Sequence, residues 1–104
     1  MENLKRTFIE NSFKVTKGTT KSIEFAHVTS GEVIYLLPNQ EITIVLDPQT
    51  TEANELVDRS FSLYHNTSLK QFPKRRNKGK EEIPYGYSFK FQSNDELSSF
   101  LKCL

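Results

Sequence analysis

The sequence predicts an α+β domain: an antiparallel β-meander with short N-terminal and C-terminal helices packed on one face. Three observations carry this. Between Ser22 and Asp47, short apolar-alternating runs are separated by turn residues. Both termini show helical spacing instead. A chain of 104 residues has no room for two independent cores, so residues 1–104 are read as one domain.

From Glu2 to Asn11, Leu4 and Phe8 stand four apart, which predicts a short helix. Phe13 to Val15 then enters a strand. Ile23, Phe25 and His27 alternate with Glu24, Ala26 and Val28 before the turn Thr29-Ser30-Gly31. Val33 to Leu37 is continuously apolar, as expected of a strand covered on both sides. Pro38-Asn39-Gln40 is turn chemistry, since Pro presets one dihedral and Asn tolerates a positive φ. Ile42, Ile44 and Leu46 complete the meander before Asp47-Pro48. Thr50 is placed as the cap of a short helix running through Leu56 and Val57 to Arg59, and Phe61 to Tyr64 as a further strand. His65 to Pro84 has the composition of a long loop, broken by Asn66, Pro73, Asn77, Gly79 and Pro84; loops of this length in compact domains are commonly functional. Tyr85 to Phe91 is extended, with Tyr85, Tyr87, Phe89 and Phe91 on one face. Ser93 and Glu96 form a capping box, and Leu97, Phe100, Leu101 and Leu104 follow as one apolar stripe.

The tail Tyr85-Gly86-Tyr87-Ser88-Phe89-Lys90-Phe91-Gln92-Ser93 with its terminal Leu/Phe helix resembles a small family of cytosolic bacterial proteins of unknown function. Ile44-Val45-Leu46-Asp47-Pro48 and Phe72-Pro73 extend the likeness over most of the chain. Many members of that family carry His before the Tyr-Gly. Pro84 stands there in this chain, so no histidine role carries over. The resemblance implies a bacterial or phage origin and a compact α+β layout, and no activity.

Composition removes several classes. Hydrophobic residues at 36% and charged residues at 26% fit a soluble globular chain. No apolar run is long enough for a membrane span, and Met1 to Glu10 does not read as a secretory signal. The single Cys103 leaves no internal disulfide and no cysteine-cluster metal site, which points to a cytoplasmic setting. The net charge of +1 hides an asymmetry. Residues 1–52 carry five Lys/Arg and seven Asp/Glu, whereas residues 53–104 carry nine and six. Lys70 to Lys80 alone holds six cations and no acid in eleven positions, with Glu81 and Glu82 next.

That basic stretch is the strongest functional signal. Lys70, Lys74, Arg75, Arg76, Lys78 and Lys80 are candidate phosphate contacts, and Tyr85 and Tyr87 candidate base-stacking partners, with Phe72 also close in sequence. If about five of these cations met phosphates, a slope of roughly −0.9 per contact predicts several-hundred-fold weaker DNA binding between about 50 and 200 mM salt. The same stretch also reads as a solvated loop that aids solubility, and period-two aromatics as core. Asn77-Lys78-Gly79-Lys80 offers either a phosphate nest or an ordinary turn, without the spacing of a phosphate-binding loop. His27 and His65 are the two histidines; paired, they suit acid–base cleavage of RNA, but His27 falls on the strand face expected to be buried. The acids are spread out, with no acid-x-Lys pairing of the kind a metal-dependent nuclease needs. Asn66-Thr67-Ser68 reads as a polar turn.

The expected function is therefore a small nucleic-acid-binding protein using the 70–80 loop with adjacent aromatics, its partner DNA or RNA. The alternative is an inhibitor or immunity-type protein that blocks a partner such as a nuclease, through an exposed sheet edge or by docking on an acidic surface. A His65-dependent RNA hydrolase is a third reading. No cofactor, metal or membrane partner is expected.

Overall fold

Alternating apolar residues commit the first half of the chain to antiparallel strands, and turn residues set where they reverse. In the computed structural model, which describes residues 2–76 and 81–104, the meander runs through β1 (Phe13–Gly18), β2 (Ile23–His27), β3 (Val33–Leu37) and β4 (Ile42–Leu46). Phe25 faces Ile34, and Ile34 faces Leu46, so one apolar set lands on one face across three strands. Gly31 closes the β2–β3 turn at φ 78°, where a Cβ is costly. Asn39 does not use the positive φ open to it; Ser12 and Glu55 are the described non-glycine residues that do.

The sheet continues out of chain order. β7 (Glu82–Phe91) pairs with β4, and β5 (Ser62–His65) lies on the far flank of β7, giving the order β1-β2-β3-β4-β7-β5. A short strand, β6 (Lys74–Arg76), pairs with the start of β7. Tyr85 N–H donates to Pro73 C=O, whereas Pro84 C=O accepts from Asn66 N–H. Successive residues of a strand bond to opposite sides, so β6 and β5 hold opposite flanks of β7. Pro84 is tolerated because β5 ends beside it, where a missing N–H interrupts no ladder.

Both faces of the sheet are covered. Phe8 of α1 (Glu2–Glu10) and Leu97, Phe100 and Leu101 of α3 (Asn94–Lys102) close one core over Phe25, Ile34, Ile44 and Phe89. Phe8 and Phe25 stack with centroids 4.0 Å apart. The helices thus share one face, as the spacing predicts. Ser93 Oγ accepts from Glu96 N–H at 3.2 Å, the first half of the expected capping box; the Glu96 carboxylate reaches one residue past the cap, accepting from Gln92 N–H at 3.2 Å. On the other face Leu69 and Phe72 cover Tyr35, Leu37 and Val45. This is why Val33 to Leu37 has no polar side.

Two expectations are corrected. The helix after β4 is α2 (Pro48–Ala53), capped by Asp47, whose Oδ1 accepts from Gln49 N–H at 2.8 Å; Thr50 instead donates to Glu32. Pro48 at the first helical position moves the start upstream, because its fixed φ suits that position and its absent N–H is not needed there. Helical structure then stops at Ala53, and Val57–Arg59 forms a separate 3₁₀ turn. The segment 65–84 is likewise not a plain loop, since it supplies two core side chains and β6. No helix of the described residues is long and apolar enough to cross a membrane.

Candidate nucleic-acid interface

The basic segment is positioned by what lies just before it. Leu69 is fully buried and Phe72 nearly so. Leu69 N–H bonds to Asn66 C=O and Phe72 N–H to Leu69 C=O, which makes this stretch a pinned double turn. Gln71 N–H donates to the Tyr35 hydroxyl at 3.1 Å. Lys70 is therefore presented from an anchored turn, and ordering it on binding costs little chain entropy.

Past Pro73 the chain is extended, and a strand's alternation divides its side chains. Lys74 faces Pro84 and Arg76 faces Glu82, while Arg75 faces Ile83. Lys70, Lys74, Glu82, Thr67 and Pro84 line a shallow cavity of about 290 Å³. Arg75 projects to the opposite face, the one the helices occupy farther along the sheet. The expected single positive surface is thus corrected by pairing: three described cations stand on one side of the β6–β7 hairpin and one on the other. All four are exposed, and the ion pair among the described residues joins Lys90 and Glu41 instead, at 3.4 Å. Lys78, Lys80 and the Asn77–Lys80 nest lie outside the described residues.

On the helix side of the hairpin, three side chains form a row across three strands. The Arg75 guanidinium lies 5.7 Å from the Tyr85 ring centroid, and His65 stacks on Tyr85 at 5.8 Å with planes 23° apart. His65 and Tyr85 are directly opposed in the β5–β7 register. The His65 Nε2 is buried and has no hydrogen-bond partner. Tyr87 stands next along β7; its hydroxyl approaches Glu52 at 3.4 Å, and burial together with that carboxylate raises its pKa. Tyr87 also packs against the helix-side core, and Tyr85 is likewise half-buried, flanked by Arg75 on the β6 side and His65 on the β5 side, so the row is open to a base at Arg75. Phe72, adjacent to the cations in sequence, is core and cannot stack on a base.

The paired-histidine arrangement does not form. His27 Nδ1 accepts from Thr29 and Ser30 N–H at the end of β2, and His65 sits on β5. β3, β4 and β7 intervene, so four strand spacings put the two roughly 19 Å apart. Among the described residues no group of three or more His, Cys, Asp or Glu is placed to hold a metal ion. A groove of about 680 Å³ runs between α3 and the end of β7, floored by Phe89, Phe91 and Phe100. It contains none of the predicted site residues. What sequence reasoning missed is the anchor of the basic segment: Tyr35, Leu69 and Gln71. The i, i+3 spacing of Leu69 and Phe72 in polar surroundings was the available signal.

Comparison of the chain with protein-family models, with curated proteins and with solved structures found no match. The likeness carried by the Tyr85–Ser93 tail accordingly stays an expectation.

Proposed function

We propose that the protein binds single-stranded nucleic acid along the β6–β7 hairpin. The observation that carries this reading is the Arg75–Tyr85–His65 row on one face of the hairpin with, on its other face, exposed cations that hold no ion pair among the described residues. Unpaired bases stack on aromatic rings and on guanidinium planes, and nearby cations neutralise the phosphates. Among the described residues β6 pairs with β7 alone, which leaves its outer flank open. A strand crossing that flank would place a base against Arg75 on one side and phosphates near Lys70, Lys74 and Arg76 on the other.

The test is fluorescence anisotropy with labelled oligo-dT, oligo-U and a duplex at two salt concentrations. With about four contacts at roughly −0.7 each, single-strand affinity falls about fifty-fold between about 50 and 200 mM salt. Tyr85→Ala and Arg75→Ala each weaken single-strand binding by about 1–3 kcal/mol, the worth of one stacked base. Equal affinity for duplex and single strand, or no response to Tyr85→Ala, would refute the stacking row. The inhibitor reading rests on one further feature, the free edge of β5, which is open to a partner strand. Binding to no nucleic acid at low salt would favour it.

A further inference from the structure

The groove of about 680 Å³ between α3 and the end of β7 lies outside the strand-binding hairpin, and its volume falls in the range of sites that enclose a small organic molecule. Its floor is aromatic. Phe100 packs on Phe89 at 5.0 Å and on Phe91 at 5.2 Å, with ring planes tilted by 40° and 54°. Phe91, Leu56 and Leu104 keep part of their surface open to the groove.

One wall is preset. Leu56 N–H bonds to Thr51 C=O and Arg59 N–H to Leu56 C=O, so the turn after α2 presents both side chains from a hydrogen-bonded frame. The Arg59 guanidinium stands 5.7 Å from the Phe100 ring centroid and holds no ion pair among the described residues. The other charged groups of the groove are accounted for. Lys90 pairs with Glu41 at 3.4 Å. The Glu96 carboxylate accepts from Gln92 N–H, and Asp95 stands beside it in the first turn of α3, where free backbone amides favour negative charge. Phe100, the ring under Arg59, lies a rise of about 7.5 Å along α3 from Asp95, so the acids mark one end of the groove and the free cation its floor.

We infer that this groove binds an aromatic monocarboxylate, its rings on the phenylalanines and its carboxylate on Arg59. A guanidinium offers paired N–H donors in the geometry a carboxylate accepts. Apolar surroundings strengthen that bond relative to open water. Flat rings gain from the offset and tilted contacts that this floor provides, whereas an ammonium would meet Arg59 as a like charge. The ligand needs no nucleic acid to bind, since the groove lies at the far end of β7 from Tyr85.

Titration of the full chain with naphthoate, followed by two-dimensional NMR, tests this. Shifts should centre on the amides of Phe91, Ser99 and Phe100, with a dissociation constant of about 1 mM or tighter, which a ligand of this size reaches at ordinary efficiency. Cys103, the one cysteine of the chain, is exposed and lines the groove, so naphthoate should also slow its reaction with a thiol reagent. Arg59→Ala should weaken binding at least about tenfold, and Arg59→Lys should recover part of the loss. Asp95→Asn should not weaken it. Ser99→Trp, which fills the groove from an exposed helix position, should abolish binding while circular dichroism stays that of the folded protein. Naphthylmethylamine, with the same rings and the opposite charge, should bind at least about tenfold more weakly than naphthoate. Absence of shifts and of Cys103 protection at several times that concentration overturns the inference. So does equal binding of the amine, or wild-type affinity in Arg59→Ala or Ser99→Trp.

Discussion

Tyr35 joins three parts of the molecule through one oxygen. Its ring is 1% exposed; its hydroxyl donates to Glu24 Oε1 at 2.6 Å and accepts from Gln71 N–H at 3.1 Å. Glu24 is itself buried and takes its other bond from Thr16 Oγ1 at 2.6 Å. Removing the hydroxyl leaves a buried carboxylate oxygen and a backbone amide short of partners. Tyr35→Phe should therefore cost about 1–3 kcal/mol in urea unfolding. Burial first, and then the bond to Glu24, hold the Tyr35 phenol well above its ordinary value of 10.0. The unfolded chain thus loses this proton at a lower pH than the folded one. Below about pH 10 the two states carry the same proton, and stability falls as pH rises beyond that. Tyr35→Phe should flatten this alkaline decline, as read from unfolding midpoints across the range.

β7 is the element on which the sheet turns, because β4, β5 and β6 all pair with it. Its one glycine marks the tightest approach. A Cβ on Gly86 would lie 2.5 Å from Leu46 O, 2.6 Å from Val45 Cγ1 and 3.0 Å from Phe72. The first of these is backbone and cannot turn aside. Gly86→Ala should destabilise by about 1–3 kcal/mol or more, measured by chemical denaturation, and loosen the Phe72 anchor that sets Lys70. Elements written in local patterns were legible: β2, β3 and β4 from their alternation and turns, and α3 from Ser93 and Glu96. β6 was not. Lys74-Arg75-Arg76 has no apolar period and is a strand only because β7 offers it a partner and Phe72 holds it in place. The candidate site was half legible for the same reason. The residue types and their neighbourhood were visible in sequence, but the division of cations between faces and the His65–Tyr85 contact depend on which strands pair.

At the scale of the molecule, the helices cover one face and a pinned loop covers most of the other, so exposed charge collects at the hairpin end. Lys70, Lys74 and Arg76 are exposed and hold no ion pair among the described residues. Replacing all three with Ala should lower the salt slope of single-strand binding by about 2, while unfolding stability shifts by no more than about 0.5 kcal/mol per site. A different result, with lost stability and an unchanged slope, would assign these cations to the fold instead. The order of the sheet also bears on how the chain is made. During synthesis β1 to β4 can zip up as they appear, but β5 and β6 have nothing to join until β7, the last strand to leave the ribosome, is available. A nascent chain stalled before Glu82 would expose the side of β4 that β7 covers, together with two orphan strands, and would be a natural client for a chaperone.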